Sequence, residues 1–280
     1  MVLKAKVHKN TGLNLFVQTI IGRAYPRVVG LLRERTWFFF DVLLPVISVS
    51  AYVFIYRAIQ APDIYIGFVV MGGAMTAFWL NILWAMSSQM YWEKETGNLA
   101  LYIMAPNSLM AILLGMALGG LFATSQRALV ITLAGIFLFG VQIEVSNYLL
   151  LFAVFMLTMV ALYGLGMMTA SLFLLLNREA WHFSNMAQEP VYLASGFYFP
   201  IKSFDFWIAA SASIIPLTLG LDAMRQLSFP GGPALGFIDV NIELAVLALL
   251  SVAFLFGAKW LLGYMERLAI REGRLTDSRR

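Results

Sequence analysis

The sequence contains no cysteine and only two histidines among its 280 residues. Without cysteine the chain forms no disulfide, no thiolate metal site and no cysteine nucleophile. The two histidines, His8 and His182, lack the spacing of metal ligands, so zinc or hydrolase chemistry is not expected. We therefore predict that the chain has no catalytic residue, no metal site and no cofactor of its own.

Charged residues are also scarce, at 12% of the chain, whereas hydrophobic residues make up 61% and the mean hydropathy is +0.81. These values exclude an ordinary soluble domain. Apolar runs of about 20 residues recur, each long enough to cross a hydrocarbon core about 30 Å thick. The runs are apolar on all sides, which favours helices over barrel strands and predicts an all-α integral membrane protein. The net charge of +4 does not indicate nucleic acid, because the cations cluster beside the apolar runs.

Two further absences concern the energy source of transport. The chain has no P-loop, since Gly72 and Gly73 are followed by no lysine, and it therefore cannot power itself with ATP. No acidic residue falls in the middle of an apolar run, where ion-coupled carriers usually bind a proton or a sodium ion. The second absence counts against a secondary transporter without excluding it.

Six apolar runs are predicted to span the membrane. They cover residues 37–57, 65–90, 109–140, 148–176, 180–200 and 240–264. Most lysines and arginines outside these runs lie on the side of both termini, and only Arg57, Lys202 and Arg225 lie on the other side. The positive-inside rule then places both termini in the cytoplasm of a multi-pass protein of the plasma (inner) membrane.

We expect one transmembrane domain over residues 1–280. Its parts are a cytoplasmic tail and amphipathic helix (1–35), the six spans (36–265) and a basic cytoplasmic tail (266–280). Because the basic N-terminus lacks a short apolar stretch followed by a cleavage site, no removable signal peptide is expected.

Two segments outside the spans are also apolar. Residues 13–32 carry apolar side chains at helical spacing, which predicts an amphipathic helix in the cytoplasmic interface with its arginines toward the headgroups. Residues 201–235 are too apolar for a free loop, yet Pro216 interrupts them, so we predict an outer re-entrant or interfacial segment that is a candidate gate. Arg127, inside the third span, could face a central pathway or snorkel to the outer interface.

The loop between the second and third spans begins with charges and continues as a short amphipathic helix that stops at Pro106. Another protein could bind such a protruding helix, although the pattern by itself is also typical of a solvated loop. Here the sequence resembles the membrane subunits of ABC-2 type transporters, in which this loop reads roughly E-R-E-x-G-T-L-E-x-L before a proline. The residues on that pattern are Glu93, Lys94, Glu95, Gly97, Leu99, Leu101 and Pro106, while Asn98 and Ala100 depart from it.

The resemblance continues beyond this loop. Residues 195–200, which read Ser-Gly-Phe-Tyr-Phe-Pro, resemble the end of the family's fifth span, and the residues that follow resemble its outer re-entrant segment. The gate residues implied by this likeness are Gly196, Pro200, Trp207, Pro216 and Arg225.

The resemblance implies the transmembrane subunit of an ATP-driven exporter. Two such subunits, identical or closely related, would dock on separate ATPase subunits that bind ATP and magnesium. The loop after the second span would be the coupling helix: Glu93, Lys94 and Glu95 would contact the ATPase through their charges. Gly97 would let the backbone of the loop approach the ATPase closely, and Leu99 would fill a groove on the ATPase.

The pathway would be lined by the first, second and fifth spans, with Phe54, Trp79 and Trp84 as candidate substrate-facing residues. Aromatic faces suit hydrophobic drugs, lipids and the sugars of glycoconjugates alike, and near span ends they also form interfacial belts. Two other classes compete with this interpretation: an ATP-independent secondary transporter or channel, and a structural scaffold. A scaffold has no need of irregular backbone at membrane depth such as residues 201–235.

Overall fold

The computed structural model describes residues 12–33, 35–104, 108–173 and 179–272, and within these ranges the chain is helical without any strand. The predicted all-α class is therefore confirmed. The helices are α1 (Leu13–Arg33), α2 (Arg35–Ala58), α3 (Ile64–Leu80), α4 (Ser88–Glu95), α5 (Asn98–Met104), α6 (Leu109–Phe139), α7 (Tyr148–Phe173), α8 (Glu179–Ala194), α9 (Phe206–Ala212), α10 (Pro216–Ser228), α11 (Gly232–Leu235) and α12 (Val240–Glu272). A π-helical turn, Asn81–Ser87, joins α3 to α4 without interruption.

Four helical stretches of the described chain are long and apolar enough to cross a membrane. They are Ile64–Glu95, Leu109–Phe139, Tyr148–Leu172 and Val240–Met265, and α9 with α10, bent by 109°, would add a fifth. The apolar part of α2, Val42–Ala58, is shorter. The described part of α8 has 16 residues, about 24 Å at about 1.5 Å per residue, which is less than a hydrocarbon core requires. It ends at Ala194, short of the predicted residue 200, because Gly196 turns the backbone with a φ of +66°.

Three connections meet at one end of the bundle, here called the far end. The Tyr56 hydroxyl, at the end of α2, donates to the carbonyl of Tyr198 at 2.9 Å, and Arg57 donates to the carbonyl of Phe139 at 3.0 Å. The connection between α6 and α7 is extended and reaches α10, where the Glu144 amide donates to the carbonyl of Ser228 at 2.9 Å. The α4–α5 turn lies at the opposite end, here called the α5 end.

The main core is formed by α3, α6, α7, α10 and α12, and small residues let these helices approach closely. Gly72 of α3 faces the turn after α8, and a Cβ at this position would overlap the carbonyl of Phe197. Gly220 of α10 likewise faces Thr158 of α7. Each of these glycines lies where two distant segments of the chain come into contact. Neither belongs to a sequence motif that would have predicted this role.

The predicted helix over residues 13–32 is present as α1, which packs along the first half of α6. Gly115 and Gly119 of α6 face Ile20 and Ala24 of α1, so the two backbones lie close together. The opposite side of α1 is apolar and exposed, with Leu13, Val17, Ile21 and Tyr25 spaced four residues apart. One side of α1 therefore packs on protein, and the exposed stripe suits contact with lipid.

We predict that Gly72→Ala destabilises the protein by about 1–3 kcal/mol, because the new methyl group meets backbone that cannot move aside. Gly22→Ala is the matched control, since no atom lies within 4 Å of a Cβ there and alanine favours an exposed helix by up to about 1 kcal/mol. Thermal unfolding in detergent should show a lower midpoint for the first variant only. Equal midpoints would contradict the close approach of α3 to the turn after α8.

Candidate functional site

One buried carboxylate, that of Glu93, organises the turn between α4 and α5, and this residue is 4% exposed. Its Oε1 forms a salt bridge with Arg23 of α1 and accepts a hydrogen bond from Gln89 Nε2 at 3.0 Å. Its Oε2 accepts hydrogen bonds from Asn98 Nδ2 at 3.0 Å and from the Tyr102 hydroxyl at 3.2 Å. A single side chain therefore ties α1, α4 and α5 together.

The environment of Glu93 explains why a carboxylate is stable in a buried position. Burial of an unpaired charge is costly, but here both oxygens are hydrogen-bonded and a guanidinium balances the charge. The same guanidinium lies 5.5 Å from the centre of the Tyr102 ring. Burial raises the pKa of the Tyr102 hydroxyl, which keeps it protonated and able to donate at neutral pH.

Gly97 separates α4 from α5 with a φ of +77°, in the left-handed region that favours glycine. Its amide donates to the carbonyl of Lys94 at 3.0 Å. A Cβ at this position would meet no atom of the chain within 4 Å. Within the chain, glycine is thus required for its backbone conformation and not for close packing.

The predicted coupling residues divide into buried and exposed ones. Glu93 and Leu99 are 4% and 2% exposed and contact their own chain, whereas the sequence analysis had directed both side chains toward a partner. Lys94 is also buried, at 9% exposure. Glu95 is exposed and Leu101 is 60% exposed, so these two side chains face outward. Pro106 lies outside the described residues.

A residue that the sequence analysis did not single out completes the exposed surface. Trp92 is 47% exposed and stands three positions before Glu95, on the same side of α4. We call Trp92, Glu95 and Leu101 the docking face. The signal in the sequence that could have identified Trp92 is the position of a tryptophan directly before three charged residues, Glu93, Lys94 and Glu95.

A second arginine attaches α1 to the bundle. Arg27 donates to the carbonyl of Met116 in α6 at 3.2 Å and to the carbonyl of Ala85 in the π-helical turn. Because π-helical geometry changes the hydrogen-bond pattern, this turn leaves a carbonyl available to a side chain. Both Arg23 and Arg27, which the sequence analysis directed to the lipid headgroups, therefore make contacts inside the protein.

At the far end, Arg225 of α10 is 2% exposed and donates to four backbone carbonyls. Its Nη1 donates to Gly196 at 2.6 Å and Phe199 at 3.3 Å, and its Nη2 donates to Phe68 and Phe197, each at 2.7 Å. The guanidinium also lies 4.8 Å from the centre of the Phe68 ring. Arg225, which the sequence analysis counted among the outer loop cations, thus joins α10, α3 and the turn after α8.

The other predicted gate residues occupy different positions. Gly196 and Pro200 flank the turn that Arg225 binds, and Pro216 is the buried first residue of α10. Trp207 is 79% exposed on α9 beside Phe206, which places it on the surface, away from the Arg225 contacts. The structure therefore brings Gly196, Pro200 and Arg225 together and leaves Trp207 apart.

The candidate pathway aromatics lie in three environments. Phe54 is 60% exposed and packs edge to face on Phe139, whereas Trp79 is 5% exposed in the core. Trp84, in the π-helical turn, donates from its indole nitrogen to Gln188 of α8 at 3.0 Å. A further contact, which no motif in the sequence indicates, joins α2 to the chain after α8: the rings of Tyr52 and Tyr198 stack with their centroids 3.8 Å apart. These two residues are far apart in the sequence, so only the fold pairs them.

Among the described residues, no group of three or more acidic or histidine side chains is placed to hold a metal ion. Long apolar helices, four of them long enough to cross a bilayer, define an integral membrane protein. A family model described as "ABC-2 type transporter" matches residues 27–229. The match covers more than half of the chain, which therefore belongs to the ABC-2 type transporter family.

Family membership makes the chain the membrane subunit of an ABC transporter, a transport subunit that is not itself catalytic. A comparison with curated proteins found no match.

We predict that Arg23 and Glu93 stabilise the protein cooperatively. Arg23→Ala and Glu93→Ala each destabilise it, and the double variant should lose less than the sum, with a coupling energy of about 0.5–3 kcal/mol. The reason is that either single change leaves the other partner's charge without compensation. Unfolding in mixed micelles measures the three free energies, and strict additivity would contradict the pairing.

We predict that Arg225→Lys destabilises the protein by at least about 2 kcal/mol, because an ammonium cannot serve carbonyls on two separate elements and leaves buried acceptors unpaired. Arg57→Lys is the control, since Arg57 is exposed and donates to one carbonyl only; its effect should stay within about 0.5 kcal/mol. Thermal unfolding in detergent distinguishes the two. Similar losses of stability in the two variants would show that the four hydrogen bonds of Arg225 stabilise the protein no more than the hydrogen bond of Arg57.

Proposed function

We propose that this chain is the transmembrane subunit of an ATP-driven exporter, and that its α4–α5 turn receives a separate ATPase subunit. The observation that carries the proposal is the Glu93 network, because it joins the docking face to both α1 and the α3–α4 helix. A push on this turn would be transmitted to two membrane-facing elements at once. A loop that is merely solvated has no need of such a buried ion pair.

The docking face has the composition of a protein contact surface. Trp92 and Leu101 offer exposed apolar area, Glu95 adds a charge one turn from Trp92 on α4, and tryptophan is enriched among residues that dominate binding energy. ATP and magnesium would bind to the partner, since this chain has no P-loop. Closure of the ATPase pair would move α4 and α5 as one body, and the salt bridge to Arg23 would carry α1 with them.

The membrane arrangement we propose has six crossing segments: the four long stretches, α2, and a sixth formed by α8 together with the turn that follows it to Pro200, since α8 alone is too short. The proposed location is the plasma (inner) membrane with both termini in the cytoplasm, because most lysines and arginines outside the predicted spans fall in the sequence segments assigned to that side. In this arrangement α1 lies at the cytoplasmic interface and residues 201–235 re-enter the membrane from outside. Arg225 would then hold an outer gate at the turn after α8.

Two membrane subunits, identical or closely related, would enclose a pathway lined by α2, α3 and α8. The Tyr52–Tyr198 stack and the Trp84–Gln188 hydrogen bond support this choice, since they place aromatic and polar groups on these helices. Such a surface suits an apolar or amphipathic substrate: a hydrophobic drug, a lipid or a glycoconjugate. Export is the proposed direction.

We predict that Glu95→Lys together with Leu101→Asp reduces copurification of the ATPase encoded with this chain by at least about tenfold, which corresponds to about 1.4 kcal/mol. Both changes act on exposed side chains and leave the Glu93 network intact. Glu144→Lys, at the exposed far end, is the matched charge-reversal control and should copurify normally. The measurement is ATPase content and activity in lipid nanodiscs.

An opposite result favours another class. If no ATPase copurifies with the unaltered chain, and the docking-face variant transports as well as the unaltered chain, an ATP-independent channel or carrier becomes the better explanation.

A further inference from the structure

An apolar groove of about 450 Å³ opens between α6 and α7 in the half of the bundle toward the far end. Its floor is formed by buried side chains of α3 and α10, among them Met75, Phe78 and Met224. None of the described residues that line the groove is charged. A groove whose lining is mostly apolar favours an apolar occupant.

The groove results from the way the helices pack. The helix α6 packs on α1 and α3, while α7 packs on α10 and α12, so these two consecutive helices are drawn apart. Their extended connection is fastened to α10: the Glu144 amide donates to the carbonyl of Ser228, and the Ser146 amide donates to that of Leu227, each at 2.9 Å. The gap between α6 and α7 is therefore fixed by the packing of these helices and by the two hydrogen bonds to α10.

The rim of the groove is part of the apolar surface that a membrane protein presents to lipid. Leu129 of α6 and Phe152 of α7 are 58% and 60% exposed, and Tyr148 is 76% exposed where α7 begins. The polar connection 141–147 lies at this end of the groove, at a level suited to a lipid headgroup. The bilayer that surrounds the rim thus has direct access to the floor.

We infer that this groove holds one acyl chain of a bilayer phospholipid. A second copy of this chain is the competing occupant, and the cysteine variant described below distinguishes it from lipid. An acyl chain carries no charge and is the medium that already bathes the rim. The inference does not depend on ATP-driven export, so its test needs no ATPase.

The test uses the full chain in nanodiscs that contain a phosphatidylcholine with a photoactivatable diazirine near the end of one acyl chain. After irradiation, mass spectrometry maps the labelled residues. Label on the floor residues Met75 and Met224 should exceed that on Leu249 and Val252, exposed side chains of α12, several-fold. Exposure alone predicts the reverse, because the floor residues are buried and those on α12 are not.

A variant that fills the groove separates bound lipid from general contact. Ala128→Phe, inside the groove, should reduce floor labelling several-fold, whereas Ala245→Phe, on exposed α12, should leave it unchanged. Label confined to the rim in the unaltered chain, or floor label that Ala128→Phe does not reduce, would overturn the inference. Because the chain lacks cysteine, Leu129→Cys also tests the second copy: a disulfide between two copies would assign the groove to that partner instead.

Discussion

The turn after α8 breaks from helical geometry inside an apolar bundle, where lipid offers no hydrogen bonds to exposed carbonyls. Arg225 supplies them, since its guanidinium donates to three carbonyls of this turn and to that of Phe68 in α3. The positions of α10, α3 and the chain after α8 all depend on this contact. An arginine is required because five donors on a planar group can serve carbonyls from two directions, which a lysine cannot do.

Arg225 and Glu93 are two buried ions with different partners. The Arg225 guanidinium satisfies backbone carbonyls at the far end. At the α5 end the Glu93 carboxylate accepts hydrogen bonds from three helices, including one from Arg23. The first arrangement stabilises a break in the backbone, and the second holds separate helices together. The helices between these two points are held mainly by apolar and small-residue packing.

Part of the candidate site could be predicted from the sequence. The charged loop that stops at Pro106 was recognisable from its residue types, whereas Gly97, Gly196 and Pro200 were recognisable from the resemblance to the family. The environments of Glu93, Leu99 and Arg225 were not predictable in the same way. The resemblance directed Glu93 and Leu99 toward a partner, and the positive-inside rule placed Arg225 in an outer segment, yet all three are buried within the chain. A charged side chain is buried only where the fold places hydrogen-bond and charge partners around it. Amino-acid composition carries no information about those partners.

The sequence by itself determined the solvent of this protein and the class of its elements, because hydropathy and helical length act locally along the chain. The lack of a P-loop, a local motif, was likewise readable from the sequence and led to the expectation of a separate ATPase subunit. Only the tertiary structure decided which charges lie inside, that Tyr52 stacks on Tyr198, and that α6 and α7 part to leave a groove. These features arise from contacts between distant residues, for which a single sequence carries no local signal.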